Sequence, residues 1–196
     1  MIAAVIPTRY HPPELSELIR AISNEATVYV MESERWDHAI YRMWNVGAGL
    51  ARGAGATEIA ILNDDVAIKP RTLSLMAEAL RADPTLGIVY PDVNACWCET
   101  PTIGEVVKTT GTWGAGGMTG FAFMFPAGLG IAFDEGWGLW YGDDAFEEAV
   151  RATGKAVARI SGLPVRHAPM GSTSRDMGYW QPIIEADRAR WDALHA

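Results

Sequence analysis

The sequence predicts an α/β fold: a mostly parallel, Rossmann-like central sheet flanked by helices, with a smaller sheet region in the second half. Two observations carry that prediction. Short, wholly apolar runs end abruptly at turn residues, and segments with helical spacing lie between them. Over residues 1–92 the two kinds of segment alternate as β-α-β-α-β-α-β, which implies parallel strands joined by right-handed crossovers.

Each element has its own local reason. Ile2-Ala3-Ala4-Val5-Ile6 is a continuous apolar run halted by Pro7, as expected of a strand buried on both faces. Pro12 and Pro13 open a helix with Leu15, Leu18, Ile19 and Ile22 on one face. Thr27–Met31 reads as the second strand. A longer helix follows, with Ile40, Met43, Trp44, Gly47, Leu50 and Ala51 on one side. Its Gly and Ala content lets the backbone approach a sheet closely. Glu58–Leu62 is the third strand, ended by Asn63-Asp64-Asp65. Pro70 opens a helix with Leu73, Met76, Ala77 and Leu80, closed by Asp83-Pro84, and Leu86–Tyr90 is the fourth strand.

Beyond residue 92 glycines and aromatics become more frequent. Residues 111–117, Gly-Thr-Trp-Gly-Ala-Gly-Gly, read as a mobile or hairpin loop. Met118–Pro126 reads as a strand broken by Gly120, a helix starts near Asp143-Asp144, and short strands follow at Lys155–Ile160 and Pro164–Arg166. Trp180, Ile183, Ile184, Trp191 and Leu194 give the tail helical spacing, so it either packs on the domain or pairs with a second chain in a homodimer. No repeat or linker divides the chain, which predicts one domain with halves at 1–92 and 93–176 and a C-terminal helix at 177–196.

Composition narrows the function classes. At 196 residues, 49% hydrophobic and 20% charged, the chain can bury a core and is no candidate for disorder. A net charge of −8, with the three lysines Lys69, Lys108 and Lys155 scattered, argues against a nucleic-acid-binding face. Cys96 and Cys98 are too close in sequence for a good structural disulfide and too few for a zinc site. Reduced thiols in a cytoplasmic protein are expected. No apolar run approaches the ~20 residues of a membrane span, and the apolar start is too short for a secretion signal. Eight tryptophans exceed what a core of this size needs and point to a lined cleft.

In open α/β sheets ligands bind beyond the carboxyl ends of the strands. Here those ends carry Thr8 and Arg9, Glu32 and Ser33, then Asn63, Asp64 and Asp65. Two adjacent carboxylates after an apolar strand repel each other unless a cation or donors intervene. Mg²⁺ or Mn²⁺ favours such a site with substrate phosphates, and an Asx turn is the alternative. Asp143-Asp144 opens a helix, where Asp144 and Glu147 have the spacing of a capping box. A helix N-terminus should hold such a carboxylate ionised but weakly basic. The preceding Trp137-Gly138-Leu139-Trp140-Tyr141 suits a sugar platform or a core, and His167 follows a short strand. Gly47-x-Gly49 is not a dinucleotide fingerprint, because it lies inside a helical pattern with no strand before it.

Taken together, these motifs resemble the GT-A glycosyltransferases of the family 2 type. The resemblance rests on Ala4-Val5-Ile6-Pro7-Thr8, on Arg42-x-x-Asn45-x-Gly47 and on Leu62-Asn63-Asp64-Asp65. Phe133-Asp134-Glu135, then Asp143-Asp144 and Gly154, and finally His167 with Gly171-Ser172 complete it, spanning residues 1–172. It implies a GT-A domain that moves a hexosyl group from a UDP- or GDP-sugar, with Mn²⁺ or Mg²⁺, to the hydroxyl of an unidentified protein, glycan or small-molecule acceptor. Pro7, Thr8, Arg9, Glu32, Asn45, Asn63 and Asp64 would bind the donor, and Asp65 and His167 the metal. Asp144 would be the base of an inverting displacement, in exchange with Asp143, and Trp113, Trp137 and Trp140 would hold sugar. Asn63, Glu32 and Asp143 stand where the family usually has Asp, Asp and Glu, which leaves donor identity and the choice of base open. Three rivals are a retaining transferase, a nucleotidyltransferase and a non-catalytic sugar- or nucleotide-binding module. The second usually has a glycine-rich basic motif after strand one, which Pro7-Thr8-Arg9-Tyr10 lacks.

Overall fold

A computed structural model describes residues 1–92, 97–111, 117–167 and 176–196. Among these residues nine strands and five α-helices run in the order β1 (Ile2–Thr8), α1 (Pro13–Ile22), β2 (Ala26–Glu32), α2 (Ile40–Gly53), β3 (Glu58–Leu62), β4 (Val66–Ile68) and α3 (Thr72–Ala82). Then come β5 (Leu86–Pro91), β6 (Val106–Thr109), β7 (Ala122–Pro126), α4 (Gly142–Ala152), β8 (Ala156–Ile160), β9 (Val165–His167) and α5 (Met177–Leu194). The seven-stranded sheet has the order β2-β1-β3-β7-β5-β8-β6, and β4 and β9 form a separate two-stranded ribbon. β1 is parallel to β2 and β3, and β5 to β8. β7 runs antiparallel between β3 and β5, and β6 is an antiparallel edge.

Period-two alternation splits the core. Ala4, Ile6, Ala60 and Leu62 face α1 and α3, whereas Ala3, Val5, Ile59 and Ile61 face α2 and α4. Every residue of β1, β3 and β5 is buried, which explains their unbroken apolar sequence. Pro7 does not end β1. The strand continues to Thr8, with Pro7 in register with Met31. The break expected at Gly120 delays β7 to Ala122, and residues 117–121 become a pocket wall instead.

α2 approaches the sheet as its glycines predict: a Cβ at Gly47 would overlap Val5 Cγ1 on β1. Gly47→Ala therefore sets a helix-propensity gain of about 1 kcal/mol against overpacking of about 1–3 kcal/mol. Because Val5 is fully buried on β1 and cannot yield, we expect a net loss, read as a melting temperature lower by about 2–4 °C.

The tail packs on its own domain. Asp187 of α5 is buried and accepts the backbone N–H groups of Gly138, Leu139 and Trp140 at 2.9, 2.7 and 2.9 Å. Trp191 stacks on Tyr141, and Arg190 pairs with Asp134 at 2.6 Å. Among the described residues no helix is long and apolar enough to cross a membrane. Cys98 is a free thiol, and Cys96 lies outside the described residues.

Candidate active site

Parallel pairing of β1 with β3 brings their carboxyl ends together. There Thr8 Oγ1 donates to Asp64 Oδ2 at 2.7 Å, both side chains buried. Burial pushes the Asp64 carboxyl up. The Thr8 hydrogen bond opposes that shift, and the charge of Asp65 adds to it.

Asp65 and His167 meet because β4 and β9 pair, with Val66 in register with His167. His167 Nε2 stands 3.0 Å from Asp65 Oδ1 and 3.4 Å from Asn63 Nδ2, and its ring stacks on Phe121 at 4.6 Å. Asp65 Oδ1 is buried with no hydrogen bond of its own. A buried carboxylate oxygen paired with an imidazole nitrogen at 3.0 Å offers two atoms of the kinds that ligate divalent cations. Two neighbouring ligands in octahedral Mg²⁺ or Mn²⁺ geometry, each about 2.1 Å from the ion, lie about 3 Å apart. Among the described residues no group of three or more His, Cys, Asp or Glu side chains is placed to hold a metal, so Asp65 and His167 stand as a pair.

A cavity of about 690 Å³ opens beside this pair. Asn63 and His167 line it near the end of β3, and Asp143 and Asp144 line it at the N-terminus of α4. The α4 capping box does not form. Tyr141, with φ 64°, precedes the helix, and no side chain caps it. Glu147 instead accepts Met118 N–H at 2.7 Å. Nor is the Asp143 carboxyl held low. Burial pushes it up to about 6, against the backbone N–H groups of Asp143, Asp144 and Gly120, and the charge of Glu147 adds to the rise. Desolvation of the wall outweighs the helix terminus, which alone would have lowered it.

Of the expected donor residues, Thr8, Asn63 and Asp64 cluster at the strand ends, with Pro7 buried in β1. Glu32 is in register with Thr8, but it is half-exposed and bound to Arg35 at 2.8 Å. Arg9 turns to α5, pairing with Asp176 at 3.1 Å and packing over the rings of Tyr10, Tyr179 and Trp180. Asn45 is spent on structure: its amide binds Phe133 O and Glu135 Oε1 and accepts Phe133 N–H. Trp137 is buried beneath Arg190, whereas Trp140 is 41% exposed and lines the cavity. Trp113 and Gly171-Ser172 lie outside the described residues.

Several residues of the wall were not singled out in the sequence. Tyr41 of α2 donates to Leu139 O at 2.7 Å and accepts Gly142 N–H at 3.1 Å, fixing the start of α4. A Cβ at Gly142 would overlap its ring. Arg159, 3.6 Å from Asp92, lines the far side. Asp187 holds the loop that presents Trp140. Tyr41 reads as one more helical apolar residue and Asp187 as one more solvated acid, so neither carries a local signal.

No protein-family model matches the chain, and no curated protein does. Solved structures do. S. aureus TarS residues 1–349 superimpose with a TM-score of 0.57 at 12% identity, over 86% of this chain and 60% of that one. The same TarS fragment in complex with UDP gives 0.57 at 12% identity, over 82% and 57%. A197 from STIV gives 0.53 at 12% identity, over 85% of each chain. This chain thus spans less than two thirds of the TarS fragment's length. What these structures share with it is the architecture, a mixed α/β fold with a central sheet flanked by helices.

Proposed function

We propose that this protein is a glycosyltransferase that moves a sugar from a UDP-sugar to an acceptor hydroxyl, with inversion and with Asp143 as the base. One observation carries the reading most. One cavity is lined both by Asp143, a paired carboxylate of raised basicity at the start of α4, and by Asn63 and His167, the latter 3.0 Å from Asp65, on a fold shared with a TarS structure that holds UDP.

Asp65 and His167 would hold Mn²⁺ or Mg²⁺, which when bound neutralises charge on a diphosphate leaving group. The chain's own residues do the rest. Thr8 and Asp64 form a rigid polar edge at the end of β1 and β3 for the nucleoside side. Trp140 offers a ring face to a sugar. The Asp143 carboxylate takes the proton of the acceptor hydroxyl as its oxygen attacks the anomeric carbon. With a titration point at about 6 it is ionised at neutral pH, yet more basic than an ordinary aspartate. Asp144, buried beside it, is the other member of the pair.

A thermal-shift panel of UDP- and GDP-sugars, with and without Mn²⁺, tests the reading. A ligand at 100 times its dissociation constant adds about 2.7 kcal/mol, or about 5–10 °C for a chain of this size. We expect that rise with UDP-sugars in Mn²⁺. A flat response to every nucleotide sugar would remove the donor site. Once a donor is found, retention of anomeric configuration in the product would remove the base role.

A further inference from the structure

Glu147 is fully buried, and its partners are specific. Oε2 accepts Met118 N–H at 2.7 Å, and Oε1 accepts Arg151 Nε and Nη2 at 3.0 and 2.5 Å. Arg151 in turn donates from Nη1 to Thr109 O at 2.7 Å and from Nη2 to Thr109 Oγ1 at 2.9 Å. A buried ion pair is weak support for stability, because desolvation offsets most of its attraction. Its position is more informative. Met118 lies in the wall segment that lines the cavity, and Gly120, two residues on, crosses Asp143 so closely that a Cβ there would overlap the carboxylate. The Gly120 N–H is also one of the donors on that carboxylate. Asp143 and Glu147 lie one turn apart on α4, so the helix that carries the acid also holds the backbone laid across it.

We propose that Glu147 is a positioning residue: by anchoring Met118 it fixes the segment 118–120 on α4 and so sets where the Asp143 carboxylate points in the cavity. The effect of this on turnover rests on the glycosyl-transfer reading above, whereas the effect on Asp143 itself does not. Glu147 and Asp144 face Asp143 from its own helix and Tyr41 from α2, while Asp92, Arg159 and His167 line the other walls. Of these, Glu147 is fully buried and is tied through Met118 to the segment over Asp143.

Two substitutions separate anchoring from packing. Glu147→Gln keeps an oxygen acceptor for Met118 N–H and removes the charge, and Glu147→Leu removes both. We expect Glu147→Gln to turn over within about tenfold of wild type, with its acid limb moved below the wild-type position near 6. Glu147→Leu should lose about 10²-fold or more in kcat at unchanged donor affinity. Carbon-13 NMR of the Asp143 carboxyl in the resting protein, assigned through Asp143→Asn, gives the same titration without any substrate. Both variants lack the charge and only Glu147→Leu lacks the acceptor for Met118 N–H, so the midpoint should differ between them. Equal losses in the two variants, or one shared NMR midpoint, would overturn the proposal. If the wild type transfers no sugar, the two midpoints still decide the role of Glu147, and the transfer reading fails separately. Should Glu147→Leu not fold, Glu147→Met, closer to glutamate in shape, takes its place in the comparison.

Discussion

Asp143→Asn is expected to lower turnover by about 10²- to 10⁴-fold while leaving donor affinity within about twofold of wild type. The amide has the same shape and can still accept the N–H groups of Asp144 and Gly120, but it cannot take a proton. The wild-type rate should fall about tenfold per pH unit below about 6, as the carboxylate is protonated, and that limb should vanish in the variant. Stability moves the opposite way. Asp143 binds its proton more tightly in the folded chain, at about 6, than at the ordinary value of 3.8, so burial of the charge destabilises the fold most above pH 6. The penalty is relieved as pH falls through 6 towards 3.8. Asp143→Asn should therefore melt higher than wild type at neutral pH and lose that advantage in acid, as expected where a site is kept at the expense of stability. A larger loss of turnover in Asp144→Asn would transfer the base role to Asp144.

The second large effect is expected from Asp65→Ala, which should abolish the Mn²⁺-dependent part of UDP binding measured by calorimetry. Asp65 Oδ1 is a buried oxygen paired with His167 Nε2 at 3.0 Å, and its loss leaves His167 beside Asn63. One neutral imidazole holds Mn²⁺ or Mg²⁺ poorly, since these ions favour carboxylate and phosphate oxygens. A loss of at least about 10²-fold in Mn²⁺ is expected, with binding in chelator unchanged. His167→Ala should cost less, about tenfold, because the carboxylate remains. Undiminished Mn²⁺-dependent affinity in Asp65→Ala would take the metal away from this pair.

What the sequence revealed, and what it hid, follows from the range of each interaction. β1, β3 and β5 were legible because burial on both faces leaves an unbroken apolar run. The place of Asp64 at the end of β3 was legible because the apolar run stops there, at the carboxyl end where such sheets place ligands. β4 was missed because Val66-Ala67-Ile68 is too short to show a period, and β6 because its exposed edge carries Val-Val-Lys-Thr. The partner of Glu147 was misread for a related reason. Its spacing from Asp144 fits a cap, but the closer donor is Met118, brought in from another element. Asp187, Tyr41 and Arg9 owe their roles to partners between 47 and 167 positions away, beyond the reach of any local pattern.

The insertion of β7 between β3 and β5 also bears on how the chain is made. Until residue 126 has been synthesised, the third and fifth strands have no common neighbour, and the sheet has a gap at its centre. The N-terminal half, residues 1–92, therefore cannot complete its part of the sheet before the rest of the chain is made. At about 5–20 residues per second on the ribosome, the apolar edges of β3 and β5 stay unpaired for several seconds. That interval is when this chain is most exposed to misassociation, and a chaperone would be of most use to it then.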